Sequence, residues 1–288
     1  MSTLRVIRKR ITSVKNTQQI TKAMKMVSAA KLRKAQEAII AARPYARKMK
    51  EAVFDLAYRV DQSAHPLFTR REVKKQGILI ITSDRGLCGS FNGNIIRTLR
   101  RYLNKEESNF ESVSLYTVGR KGTETFSREG KFVKKDYPGI LGKVKFQHAE
   151  EIAKDLTEDF VSGEVDEVIV LFNEFQSAIS QNTIQETLLP IEVEREEGAF
   201  PVEFLFEPDK ETILEMLLPR YVATQIFRYL LESVAGEHGA RMTAMDAATN
   251  NSTEMIDLLT LKMNRARQAT ITRELMEIIG GKEAIEHG

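Results

Sequence analysis

Apolar and small residues recur in steps of three and four at the start of the chain: Leu4, Ile7, Ile11, Val14, then Leu32, Ala35, Ile39, Ala42, Ala46, Met49, Val53 and Leu56. Both sets lie in one heptad register, which is the seam of a coiled coil. Residues 4–58 hold no glycine and a single proline, Pro44. The spacing therefore predicts one long helix, with a kink at Pro44 that packing must offset, since an interior proline costs roughly 3 kcal/mol. Between the two apolar sets the register turns polar, at Gln18, Thr21, Lys25 and Ser28. There the apolar stripe shifts to Ile20, Ala23, Met24 and Val27, so this stretch is expected to face a different partner.

The helical period stops over 61–76, which reads as a connector, and a different pattern follows. Gly77–Thr82 is a β-branched apolar run, closed by a glycine-rich turn over Ser83–Gly89 and then a helix carrying Ile95, Ile96, Leu99 and Leu103. Residues 113–118 predict a second strand, 131–135 a weak third, 149–161 a helix and 165–172 a buried strand. Further strands are expected over 183–190 and 202–206. Strands alternating with helices indicate an α/β domain with a largely parallel sheet. From Pro208 the helical period returns through Ile213, Leu217, Val222, Ile226, Leu230 and Val234, a small-residue centre over 235–252, and Ile256, Leu259, Met263, Ala266, Ile271, Leu275 and Ile278. Pro219, Gly236 and Gly239 interrupt that pattern without a long structureless gap.

The expected division is thus an N-terminal helix (1–60), an α/β domain with its connector (61–207) and a C-terminal helix (208–288). In fold class it is α+β/α/β, a long antiparallel coiled coil of the two terminal helices with an inserted Rossmann-like α/β domain. At 1.5 Å per residue, terminal helices of about 55 and 75 residues reach roughly 80 and 110 Å. Paired from a common base, they set Leu4 beside Met263 or close to it. The last ~20 residues then project past the partner, leaving Leu275, Met276, Ile278 and Ile279 uncovered.

Charge sharpens this picture. The chain has 288 residues and a net charge of +3. Residues 1–50 carry fourteen Lys/Arg against one acid, Glu37, a net of +13; the remaining 29 bases and 39 acids give −10. A basic rod on a mildly acidic body suits nucleic acid, anionic lipid or an acidic protein surface. Against nucleic acid stand the absence of any aromatic residue in 1–40 for stacking and of a zinc or helix-turn-helix signature. A basic coiled-coil nucleic-acid-binding protein remains the alternative reading. No apolar run approaches the roughly 18 residues of a membrane span, and MSTLRVIRKR has no apolar core behind its charges to make a secretory signal.

Candidate chemistry is sparse. The turn glycines Gly86, Gly89 and Gly93 fit neither the dinucleotide nor the phosphate-loop spacing, and the turn reads as a helix start in a scaffold. Cys88, the only cysteine, excludes an internal disulfide and reads as a small buried hydrophobe. His65, His148, His238 and His287 show no metal-ligand spacing. The acid pairs Glu106-Glu107 and Glu196-Glu197 sit in charged, solvated stretches. No catalytic site, cofactor or metal is expected.

Four segments carry a resemblance. The run Asn16–Ala35 (NTQQITKAMKMVSAAKLRKA), the turn Thr82–Gly89 (TSDRGLCG), Arg241–Asn250 (RMTAMDAATN) and Arg267–Glu277 (RQATITRELME) are similar, in the same order, to motifs of the gamma subunit of F-type ATP synthases. The final signature usually ends in Gly-Ala, where this chain has Gly281-Lys282. The cysteine pair of the plastid type is absent, which excludes thiol regulation of that kind. The resemblance implies a rotor shaft, one copy per complex, without bond chemistry of its own. Its terminal helices would turn inside a ring of alpha and beta subunits, coupling proton-driven rotation of the c ring to the beta-subunit sites. Lys22 and Lys25 would face acidic beta-subunit loops. Met24, Arg241, Gln268 and Thr272 carry over as contacts to the catalytic head, joined by the apolar tip of Leu275, Ile278 and Ile279. Phe204, Phe206 and Glu207 would form a foot on the epsilon subunit and the c ring. The expected place is peripheral, on the cytoplasmic face of a bacterial plasma membrane.

Overall fold

The absence of glycine over the first 58 residues gives one unbroken helix, α1, Leu4–Arg59, which continues past Pro44. On its outer side Arg33–Glu37 and Arg47–Glu51 pair at i,i+4, a spacing that supports a helix surface. A computed structural model describes residues 4–60, 65–177, 181–193 and 209–286. The second long helix, α5, spans Lys210–Glu286 and contains Pro219, Gly236 and Gly239 without a break. Its first turn is capped by Asp209, whose Oδ1 accepts the Thr212 N–H at 2.7 Å.

Between them lie β1 (Lys75–Ile81), α2 (Phe91–Glu106), β2 (Ser112–Val118), α3 (Arg120–Arg128), β3 (Val133–Tyr137), α4 (Phe146–Val161), β4 (Glu167–Phe175) and β5 (Gln181–Leu189). The connector is shorter than expected: a 3-10 turn at Pro66–Phe68 buries Leu67 and Phe68, and β1 already begins at Lys75. The third strand comes two residues later than predicted. The nine-residue α3 was not predicted at all, because only Phe126 and Gly122 of it are buried. The strand expected over 202–206 lies outside the described residues.

The sheet has order β3-β2-β1-β4-β5. The first four strands are parallel and β5 runs antiparallel to β4. One face packs Ile78, Ile80 and Leu171 on α2 and on Phe126 of α3. The other packs Leu79, Val170 and Phe172 on α4 and on both long helices, through Val53 and Ala57 of α1 and Leu218, Val222 and Leu230 of α5. The parallel strands are therefore covered on both faces, as their continuous apolar runs require. Gly119 ends β2 at φ +84°, and a Cβ there would lie 1.9 Å from the Thr82 carbonyl oxygen. Only glycine allows β2 and the strand-end turn to approach so closely.

The chain divides into two compact units, Ser28–Arg241 with the sheet, and Met1–Val27 with Met242–Gly288. The second unit is a pair of antiparallel helical segments. Gln18 Nε2 donates to Thr253 Oγ1 at 2.7 Å, the hydroxyls of Thr21 and Thr249 meet at 2.8 Å, and Lys25 Nζ donates to Asp246 Oδ1 at 2.6 Å. That register sets Leu4 level with residue 267, one turn beyond the expected Met263. In the sheet unit Phe54 meets Tyr221 with ring centroids 5.9 Å apart, so the paired base begins inside α5. The first turns of α5 instead insert Leu214 and Leu218 into the sheet core.

Candidate functional site

The glycine-rich turn after β1 is fastened by several hydrogen bonds. Ser83 N–H donates to Asn92 Oδ1 at 2.9 Å, and Asp84 Oδ1 accepts the backbone N–H of Arg120 at 3.2 Å and of Gly139 at 2.9 Å. Leu87 takes a left-handed φ of 63°, uncommon outside glycine. The turn leaves β1, where sheets of this order usually open a ligand crevice at the strand ends. Here α5 closes on the turn. Cys88 and Phe91 are buried against Ala240, and Arg241 Nη2 donates to the Gly86 carbonyl at 3.2 Å. The two motifs Thr82–Gly89 and Arg241–Asn250 thus meet at one residue.

Arg241 is held from its own helix as well. Its Nη2 pairs with Glu237 Oε1 at 2.7 Å, and Nη1 lies 3.3 Å from His238 Nδ1. All three are buried. Burial raises the Glu237 carboxyl above its ordinary range against the pull of Arg241. Burial, reinforced by the Arg241 and Lys31 cations, pushes the His238 imidazole down to about 4. Glu237 and His238 carried no sequence signal beyond being charged residues inside a small-residue stretch.

The other predicted residues occupy the helical unit. Lys22 is exposed and Met24 half-buried. Lys25 lies on the inner register and pairs with Asp246, so Lys22 is the outward cation of that pair of lysines. The displaced apolar stripe faces away from α5: Ile20 is 60% and Val27 57% exposed. Gln268, Thr272, Leu275, Ile278 and Ile279 form a continuous exposed run on α5. Phe204, Phe206 and Glu207 lie outside the described residues. No group of three or more metal-ligating side chains occurs among the described residues, and none of their helices is long and apolar enough to cross a membrane.

Two long terminal helices with an inserted 3-2-1-4-5 sheet define a class of α/β protein carried between long helices. The family profile described as ATP synthase matches residues 3–285. The ATP synthase gamma chain of Trichlorobacter lovleyi is 50% identical over 288 residues, covering 99% of this chain and all of that relative. That of Anaeromyxobacter sp. strain K is 49% identical, again over 99% of this chain. Among solved structures, a chain of the central stalk and c-ring structure of the Tetrahymena thermophila mitochondrial ATP synthase is 28% identical with a TM-score of 0.61, covering 80% of this chain and 99% of that one. A chain of the Euglena gracilis enzyme shares the fold with a TM-score of 0.70 at 20% identity, covering 98% of this chain and 94% of that one. The chain belongs to the ATP synthase gamma chain family. The nucleic-acid reading of the basic helix gains no support from any of these matches.

Proposed function

We propose that this chain is the central rotor shaft of a proton-translocating ATP synthase. The observation that carries the reading is half identity to bacterial ATP synthase gamma chains along its whole length. The chain is a non-catalytic subunit, and catalysis belongs to the beta subunits around it. In this reading α1 and α5 form an antiparallel coiled-coil shaft, with 1–60 and 208–288 as its strands and 61–207 as the body that carries it. Alpha and beta subunits enclose the shaft. The epsilon subunit and the c ring hold its foot, at Phe204, Phe206 and Glu207. As part of that complex the chain sits peripherally on the cytoplasmic face of the bacterial plasma membrane, one shaft per complex.

Rotation acts by differential contact. A ligand or partner shifts an equilibrium only by as much as it distinguishes the two states. A shaft equal on all sides would bias no beta subunit, whereas this one is unequal. It presents Lys22, Met24 and the exposed stripe of Ile20 and Val27 on one helix. On the other it presents Gln268, Thr272 and the apolar run Leu275, Ile278 and Ile279. As the shaft turns, each beta subunit meets these surfaces in succession and its nucleotide affinity changes reciprocally. Lys25 and Arg241 enter the same interface while anchored by Asp246 and by Glu237 and Gly86.

The test uses the assembled complex carrying Lys22→Glu and Lys25→Glu together. Reversing both charges should lower ATP-driven proton pumping relative to ATP hydrolysis, while the complex still assembles. Lys22 is exposed and the Lys25–Asp246 pair nearly half exposed, so turning that pair repulsive should cost on the order of 1 kcal/mol, and the isolated variant should keep its helical circular dichroism. Normal coupling in the doubly reversed complex would sink the assignment of this patch. Failure of the tagged chain to recover alpha, beta and epsilon subunits would sink the rotor reading itself.

A further inference from the structure

A cavity of about 170 Å³ lies in the sheet unit between α1, α5 and the start of α4, walled by Ile39, Ala42, Ala46, Phe146, Phe227 and Leu231. Two of the walls from α1 are alanines one helical turn apart, too short to fill the space that Phe227 and Leu231 border. Phe146 and Phe227 stand edge to face, ring centroids 5.5 Å apart. The exposed side chains of Arg43 and Tyr45 also border the cavity, so it opens to solvent on their side. Charge selects no guest here. Arg228 is committed: its Nη2 donates to Glu186 Oε2 at 2.6 Å, and its guanidinium stacks 4.6 Å from the Tyr229 ring centroid. Glu232 Oε2 is sealed from solvent and so does not face a ligand, while Oε1 lies 3.7 Å from Arg228 Nη1. The Arg43 cation acts on that same carboxyl. The lining therefore sets one sign against the other and favours neither.

We propose that this cavity is a binding site for a neutral aromatic molecule of single-ring size. Size supports this, because a cavity of about 150 Å³ lined by leucine, isoleucine and phenylalanine takes up benzene. The walls support it as well. Side chains that border a void forgo dispersion contacts, and a guest restores them. An aromatic guest gains more than a plain hydrocarbon would, because rings attract at centroid separations of about 4.5–7 Å beyond the area they bury. An ion of the same shape would shed its hydration without a dedicated partner, which is costly. A bound ring touches α1, α4 and α5 at once, and so ties both long helices to the sheet domain at one point.

The experiment is calorimetric titration of the full chain with three probes of one shape: toluene, benzoate and benzylamine. Toluene should bind saturably and at least tenfold more tightly than either ion. Ala42→Phe, which fills the cavity from the α1 wall, should abolish toluene binding. Either ion binding as tightly as toluene would overturn the proposal, as would no saturable binding of toluene or its retention in a folded Ala42→Phe chain. If Ala42→Phe loses its helical circular dichroism, nuclear Overhauser contacts in the unaltered, methyl-labelled chain decide. Bound toluene should show them to the methyl groups of Ala42, Ala46 and Leu231, and toluene bound without them overturns the site.

Discussion

The same two helices live under two different regimes at their two ends. In the sheet unit α1 and α5 are buried on a broad side: Val53, Ala57, Leu218, Val222, Ile226 and Leu230 lose all or nearly all of their exposure against β-strands and α4. In the other unit, among the described residues, only a thin line is buried, at Ile11, Thr21, Met245 and Ser252. Two helices alone cover one narrow stripe of each other, so most of each surface stays wet. The seam there is also polar, linked by a threonine pair, a glutamine–threonine bond and one ion pair. Such pairs fix register more than they add stability. The difference teaches that the chain concentrates its cohesion where the sheet supports the helices, and keeps the other end available for surfaces outside itself.

The comparison can be broken most directly at Arg241. Replacing it by methionine leaves Glu237 buried without its partner and the Gly86 carbonyl without its donor. We expect a loss of about 3–5 kcal/mol, as for other buried pairs deprived of one member. Urea unfolding followed by circular dichroism reads it, and a loss below about 1 kcal/mol would mean the turn is not fastened by this residue. Leu218→Ala, at a fully buried site in the sheet unit, should lower stability by about 2–5 kcal/mol through cavity formation.

Acid should weaken the same unit. The folded state depresses the His238 imidazole to about 4, below its ordinary value near 6.5. The unfolded chain therefore takes up the proton first as pH falls. The stability held by neutral His238 is complete above about pH 6.5 and lost progressively toward pH 4, by up to about 3 kcal/mol. Unfolding midpoints measured across that window should slope downward, and His238→Gln should flatten the slope. An unchanged slope would show that another group governs it. In the helical unit Asp246→Asn should cost less than about 1 kcal/mol, since the Lys25 pair is nearly half exposed. A loss of several kcal/mol would erase the contrast between the two ends. At the far tip the opening free energy should be close to zero. Amides over 270–282 should exchange fast in the isolated chain and slowly inside the proposed collar of alpha and beta subunits, because isolated helical turns are marginal in water. Strong protection in the free chain would contradict the register that leaves the tip uncovered.

Much of this architecture was legible because it obeys simple periods. The heptad positions of α1 turn inward along the entire helix, including the polar members Gln18, Thr21, Lys25 and Ser28, which lie on the less exposed side. The apolar residues displaced from that register, Ile20 and Val27, point outward, as their offset implied. Strands β1, β2 and β4 followed from apolar runs between turn residues. The short α3 escaped because a single buried phenylalanine makes no period. The two-residue shift of β3 belongs to an edge strand whose alternation is weak. The role of Arg241 within the chain was not legible either. Its motif was visible, but nothing local announces that a carbonyl 155 residues away will be its acceptor.

Cys88 has a practical consequence. It is the chain's only cysteine and is 2% exposed, beneath Phe91 and Ala240. Thiol reagents need an accessible thiolate, and this one is sealed by the folded core. A cysteine installed at an exposed position such as Lys22 or Leu275 would then be the single reactive thiol of the folded chain. Fluorophores, spin labels or a bead tether could be fixed to one chosen point without first stripping out the native residue. The molecule arrives ready for observation one copy at a time.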